Sequence, residues 1–194
     1  MIRRFAGQIA ALALVAAPLA VEAQSGPVYR VPVTGVIELG LAPFIERSLE
    51  EAAAAGATLV VLDIDTPGGR VDAAERIADA LGDSPVPVVA LVNRRAFSAG
   101  ALIALATDGI YMRPGSVIGA ATPVDGSGNK APEKIVSAMR SEMRALAESR
   151  GLDPAVAEAM VDEDVAIEGE THLAIDEGGL NLVDHGARAR IDRQ

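Results

Sequence analysis

The stretch LVVLDIDTPGGRVDAAERIADAL, residues 59–81, places a buried strand, a glycine loop and an amphipathic helix in immediate succession. Thr58 to Ile64 is a continuous apolar run of strand length, and Asp65-Thr66-Pro67-Gly68-Gly69 ends it, because proline and paired glycines require a loop. Val71 to Leu81 then has helical periodicity, and Val86 to Val92, bounded by Pro85 and Pro87, is a second buried strand. Upstream, Val28 to Glu38 alternates as a first strand and Pro43 to Ala55 sets Ile45, Leu49 and Ala52 on one helical side. Strands alternating with helices predict an α/β fold with parallel pairing and both sheet faces covered.

Beyond Val92 the pattern changes from scaffold to candidate chemistry. Ala96-Phe97-Ser98-Ala99-Gly100 lies between a strand expected to end near Asn93 and a small, apolar helix over Ala99 to Ala106. A serine on such a turn sits at the carboxyl end of a strand, where α/β proteins place their sites. Nucleophile and helix cap are both open to Ser98 on local sequence, since AxSxG is a weak pattern. Backbone N–H groups of Gly68 or Gly69, with that of Ala99, could form an oxyanion hole, whereas no GxxxxGK[ST] or GxGxxG motif supports a phosphate loop.

Only two lysines occur, Lys130 and Lys134, and both follow Ser98. Residues 121–131, with Pro123, Gly126, Ser127, Gly128 and Asn129, predict a mobile loop carrying Lys130. A long helix from about Pro132 to Arg150 carries Lys134 in its first turn, with Ile135, Met139, Met143 and Leu146 as its apolar stripe. A lysine base must fall from a pKa of ~10.4 to about 7–8, roughly 3–5 kcal/mol, which demands apolar neighbours. Gly151 ends the helix and Asp153-Pro154 begins another. His172, in a segment expected to be a short surface helix over Thr171 to Glu177, and His185 near the C-terminus are poor candidates for a Ser-His-Asp site. Asp63 and Asp65 share a strand face, but nothing else supports a paired-carboxylate mechanism.

The 194 residues, half of them hydrophobic, allow one core and one globular domain. Residues 1–23 resemble a secretory signal peptide: Arg3 and Arg4, an apolar run from Ile9 to Val21, then Val21-Glu22-Ala23. A single membrane anchor is the alternative, although the run falls short of the ~20 residues of a spanning helix. The expected organisation is therefore 1–23 signal and 24–194 domain, exported to the periplasm or the outer face of the inner membrane. A net charge of -10 argues against nucleic acid as a partner. The absence of cysteine excludes disulfides and thiol catalysis, and two histidines without HExxH make a zinc hydrolase improbable.

Taken together, LVVLDIDTPGGRVDAAERI, RAFSAGALIALATDGIYMRPGSVIGAATPV and APEKIVSAMRSEMRALAESRG resemble the NfeD family of membrane-associated, ClpP-class serine proteases, over about Val28 to Asp184. The resemblance implies a single-domain ClpP/crotonase-like spiral of ββα units, a catalytic serine at Ser98, a general-base lysine at Lys134, and oxyanion donors at Gly68, Gly69 and Ala99. It implies no cofactor and no metal. ClpP carries its catalytic histidine about 25 residues beyond the serine; this chain has Thr122-Pro123-Val124 there, which favours a Ser-Lys dyad. Phe97 departs from the small residue often found beside the nucleophile in relatives. Longer relatives continue into membrane helices and a small β-barrel, so the chain is expected to be either a short form or a fragment. The implied function is a serine endopeptidase that cuts hydrophobic segments of membrane-associated, stomatin-like proteins and forms a homo-oligomer. The rival readings are a crotonase-like acyl-CoA enzyme and a catalytically silent module that binds membrane partners.

Overall fold

Alternation along Leu59–Thr66 puts Val60, Leu62, Ile64 and Thr66 on one side of a strand, where all four are fully buried. That strand is β2 in a computed structural model describing residues 26–168, 171–176, 179–184 and 188–191. The proposed signal segment, residues 1–23, and His185 lie outside the described residues. Before β2 come β1 (Val28–Thr34) and α1 (Leu41–Ala54); after it come α2 (Val71–Gly82), β3 (Val88–Phe97), α3 (Ala99–Leu105), β4 (Gly109–Met112), β5 (Val117–Gly119), α4 (Glu133–Ser149) and α5 (Pro154–Val161).

The sheet runs β1-β2-β3-β4 with every pair parallel, and β5 pairs with β3 beyond the end of β4. Register sets Val60 beside Val88, Leu62 beside Ala90 and Ile64 beside Val92, which makes one continuous apolar face. Against that face lie Ile45 and Leu49 of α1, Ile77 and Leu81 of α2 and the whole of α3, and α4 packs on α3 and α5, adding Val136 and Met143 to the same core. The stripes of α1 and α2 match the expected spacing, but that of α4 is turned from the expected one: Val136, Met139, Met143 and Ala147 are buried, while Ile135 is exposed and Leu146 only half-buried. The expectation of two covered faces meets a difference. On the other face Arg30 and Pro32 are exposed, while Val61, Val89 and Leu91 are only half-buried. Asp63 is the buried member of that face, and its carboxylate accepts from Arg30 Nε at 2.9 Å across the β1–β2 pair, so it serves the sheet as an acceptor. Pro32 fits β1 because β1 is an edge strand with no neighbour beyond it among the described residues.

Two boundaries differ from the sequence reading. β1 stops at Thr34, and Ile37 continues only as an isolated bridge to Gly69. β3 runs past Asn93 to Phe97: its register with β2 shifts between Ile64 and Thr66, where two steps along β2 face four along β3 (Val92 to Ala96), and beyond the shift Arg95, Ala96 and Phe97 pair with β5. The helix expected over Thr171 to Glu177 is instead β7 (Thr171–Asp176), antiparallel to β8 (Gly179–Asp184). The alternation of Leu173 and Ile175 and the following glycines suit a hairpin. β6 (Val165–Glu168) and β9 (Arg188–Ile191) form a second antiparallel pair. No helix among the described residues is long and apolar enough to cross a membrane.

Candidate active site

β3 delivers Ser98 to the carboxyl edge of the sheet, where the chain turns at once into α3. Ser98 takes φ 53° and ψ -119°, a conformation that a side chain disfavours. The turn is held by the Ser98 N–H donating to the Gly119 carbonyl of β5 at 2.8 Å. Ser98 occupies the N-cap position of α3, yet its side chain makes no capping hydrogen bond. The cap role left open by the sequence is therefore not the one its hydroxyl performs. The residue is half-buried, so the hydroxyl is held but reachable.

The glycine loop after β2 packs directly on this turn. A Cβ on Gly68 would stand 2.7 Å from Ser98 Cβ and 2.9 Å from the Phe97 carbonyl oxygen, and Gly68 has φ 103°, so only glycine fits there. Gly69 lies against the backbone of Ile37, whose nitrogen would be 2.5 Å from an added Cβ. Two hydrogen bonds stitch the loop to that segment: Ile37 N–H to the Gly68 carbonyl and Arg70 N–H to the Ile37 carbonyl, both 2.9 Å.

The three expected oxyanion donors are not equivalent. The Gly68 N–H already donates to Thr66 Oγ1 at 3.0 Å and is not free. The N–H groups of Gly69 and Ala99 meet no acceptor among the described residues. Sequence reasoning could not separate the two glycines, because the distinction rests on the directions of two successive peptide planes.

The two lysines also part company. Lys130 Nζ donates to Glu163 at 3.1 Å, and that hydrogen bond, with the nearby acidic charge, raises its pKa above the ordinary lysine value. An ammonium held charged in this way is a poor base. Lys134 is in the first turn of α4, exposed, with no hydrogen bond or ion pair to the described residues. Below it, α4 is fixed to the end of α5 by Arg140, which bridges Glu133 at 3.0 Å and Asp162 at 2.8 Å.

Residues 121–131, expected to be a mobile loop, fold back as a hairpin with Val124 bridged to Lys130. Its tip is organised by Asp125, whose carboxylate accepts from the N–H groups of Ser127 at 2.8 Å and Asn129 at 3.0 Å. Those bonds, that from Asn129 first, hold the Asp125 carboxyl below the ordinary aspartate pKa. A lowered folded-state value means that the stabilisation is complete above the ordinary value and disappears as pH falls through the lowered one. The Ser127 and Asn129 amides are therefore expected to lose exchange protection in acid, and at neutral pH in Asp125→Ala. Protection unchanged in that variant would show that the carboxylate does not hold the tip. The hairpin is anchored to α5 by Ala121 N–H to the Met160 carbonyl (2.7 Å) and Thr122 Oγ1 to the Val161 carbonyl (2.7 Å). No group of three or more acidic or histidine side chains suited to a metal occurs among the described residues.

Comparison with known proteins adds independent findings. The family described as NfeD1b, N-terminal domain, matches residues 27–180. Membrane protein NfeD1b of Bacillus subtilis is 47% identical over 154 residues, which is 79% of this chain and 35% of that protein. The chain spans about a third of the length of the curated relatives it matches. Among solved structures, the 1510-N membrane-bound stomatin-specific protease of Pyrococcus horikoshii, as a lysine-to-alanine mutant with a substrate peptide, superposes with a TM-score of 0.68 at 31% identity, covering 72% of this chain and 67% of that one. ClpP1 from Listeria monocytogenes shares the fold, with a TM-score of 0.56 at 22% identity over 69% of this chain and 78% of that one.

Proposed function

The chain belongs to the NfeD1b N-terminal domain family, and from that membership we propose that it is a serine endopeptidase of the ClpP class working through a Ser98–Lys134 dyad. One observation carries the reading: a serine on a strained strand-to-helix turn, its hydroxyl free of any capping bond, beside a glycine loop that leaves the Gly69 and Ala99 amides without acceptors among the described residues. That is the set of parts acyl transfer needs.

In the proposed reaction neutral Lys134 takes the Ser98 hydroxyl proton as the oxygen bonds to a peptide carbonyl carbon. The carbonyl oxygen becomes an oxyanion facing the Gly69 and Ala99 N–H groups. The C–N bond then breaks, and protonated Lys134 gives its proton to the leaving amine. Water, deprotonated by Lys134, attacks the Ser98 ester and releases the acid, returning the proton to Ser98. Lys134 is solvent-exposed in the resting chain, so the mechanism requires a substrate lying over the hairpin and α4 to desolvate it. A hydrophobic segment of a membrane-associated, stomatin-like protein would do this. The named specificity of the 1510-N protease and its peptide-bound lysine mutant support that substrate class. Export by an N-terminal signal peptide or anchor and self-association belong to the same proposal.

The test is cleavage of apolar peptides followed by mass spectrometry. Lys134→Ala is expected to lower kcat about 10²–10⁴-fold, and Lys134→Arg is expected to fail as a replacement because a guanidinium keeps its proton. A Lys134→Ala protein as active as the wild type would sink the dyad.

A further inference from the structure

Thr66 is the last residue of β2 and one of few buried polar side chains, with no exposed surface. Its hydroxyl has one proton and can also accept. The proton goes to the Gly35 carbonyl at 2.6 Å, and the oxygen receives the Gly68 N–H at 3.0 Å. Its methyl group faces Gly100 so closely that a Cβ there would overlap Thr66 Cγ2. One side chain therefore touches the chain after β1, the glycine loop and the first turn of α3.

The direction of the loop's amides follows from these bonds. The Gly68 N–H is turned inward to Thr66, and the Gly68 carbonyl, 3.4 Å from the same hydroxyl, receives the Ile37 N–H at 2.9 Å. In a trans peptide the N–H opposes the C=O, so the Gly69 N–H in that same plane points away from Ile37. Without the hydroxyl, the Gly68 N–H would be a buried donor lacking its partner, and the loop would reorient to satisfy it. We infer that Thr66 is a positioning residue for the proposed hydrolysis: its hydroxyl holds the Gly68 amide inward and so presents the Gly69 amide to the oxyanion. The inference rests on the peptidase reading above.

The experiment compares the wild type with Thr66→Val, which keeps the shape and loses the hydroxyl, and Thr66→Ser, which keeps the hydroxyl. Three quantities are measured on each full chain: Gly68 amide exchange by NMR, kcat and KM on an apolar peptide, and the melting temperature. Thr66→Val is expected to speed Gly68 exchange at least tenfold and to lower kcat about 10–100-fold with KM within twofold. Thr66→Ser is expected to restore slow exchange and most of kcat. Equal losses in Ser and Val variants, or a Val variant with wild-type kcat, overturn the positioning role while leaving the peptidase reading intact. A Thr66→Val protein too unstable to assay counts against it if Thr66→Ser, which keeps the hydroxyl, melts equally low, because the site would then need the whole side chain for packing rather than the hydroxyl for amide direction. A wild type inert toward the peptide sinks the peptidase reading and the positioning role with it, and slow exchange at Gly68 in that sample would leave only a structural hydrogen bond.

Discussion

Ser98→Ala is expected to reduce peptide cleavage to background while leaving the melting temperature within about a degree of wild type. The hydroxyl makes no capping bond, so its removal leaves no donor or acceptor stranded, and the methyl side chain fits the same half-buried position. The separation of the two effects is what makes the result informative. A nucleophile can be deleted without structural consequence, whereas an N-cap serine changed to alanine would destabilise by roughly 1 kcal/mol. Ser98→Gly sharpens the contrast. It too is expected to be inactive, yet more stable by about 1 kcal/mol, because φ 53° with ψ -119° strains any residue with a side chain. Strain kept at a serine whose hydroxyl makes no hydrogen bond among the described residues points to function. Residual cleavage in Ser98→Ala at the wild-type rate would end the serine peptidase assignment, and a marked drop in melting temperature would restore the capping role.

Gly69→Ala is expected to fail on both counts. The added Cβ meets the Ile37 backbone, its oxygen as well as its nitrogen, and no rotamer change can relieve a clash with main chain. Ile37 or the loop must move, which threatens the two 2.9 Å bonds that join them. Loss of both corresponds to about 2 kcal/mol, at roughly 1 kcal/mol each. The same displacement removes a candidate oxyanion donor, and losing one such donor lowers kcat about 10²–10³-fold. Chemical denaturation and kinetics on the same sample separate the two losses. A stable, active Gly69→Ala would show that the loop tolerates the shift and that its amide is not used.

Much of this arrangement is legible in the chain itself. Periodicity places the helices over Leu41–Ala54, Val71–Gly82 and Glu133–Ser149 within a few residues, since each buries one apolar stripe, although in the last the buried positions are Val136 and Ala147 rather than Ile135 and Leu146. The loop at Pro67-Gly68-Gly69 and the turn at Ser98 are equally plain, because glycine and small residues mark where backbones must approach. Long-range pairing is less visible. Arg94 and Arg95 look like the end of a strand, yet β3 continues through them because β5, more than twenty residues later, supplies a partner. The glycine- and asparagine-rich segment 121–131 resembles a flexible loop by composition, and the bonds gathered by Asp125, with that from the Ala131 N–H to the Pro123 carbonyl, make it a hairpin. Nor could composition reveal that Thr66 engages the Gly68 amide and leaves that of Gly69 open. The helix expected at Thr171 to Glu177 failed for a similar reason, because a short apolar alternation followed by glycines serves helix or hairpin until its neighbour is known.

The parallel sheet gives the molecule a polarity like that of an arm with a hand at one end. β1, β2 and β3 all start at one edge, and Ser98 lies just past the opposite one. The seven residues of β1 span about 20 Å, at roughly 3.3 Å per residue. Thr66, seven residues along β2 from the level of Val28, is paired with Ala96, and Ser98 follows two residues later, so any attachment made through the chain just before Val28 would hold the serine more than about 20 Å from the attachment point, at the far end of the sheet. From a bilayer surface, that reach would suit a scissile bond standing clear of the headgroups better than one lying among them.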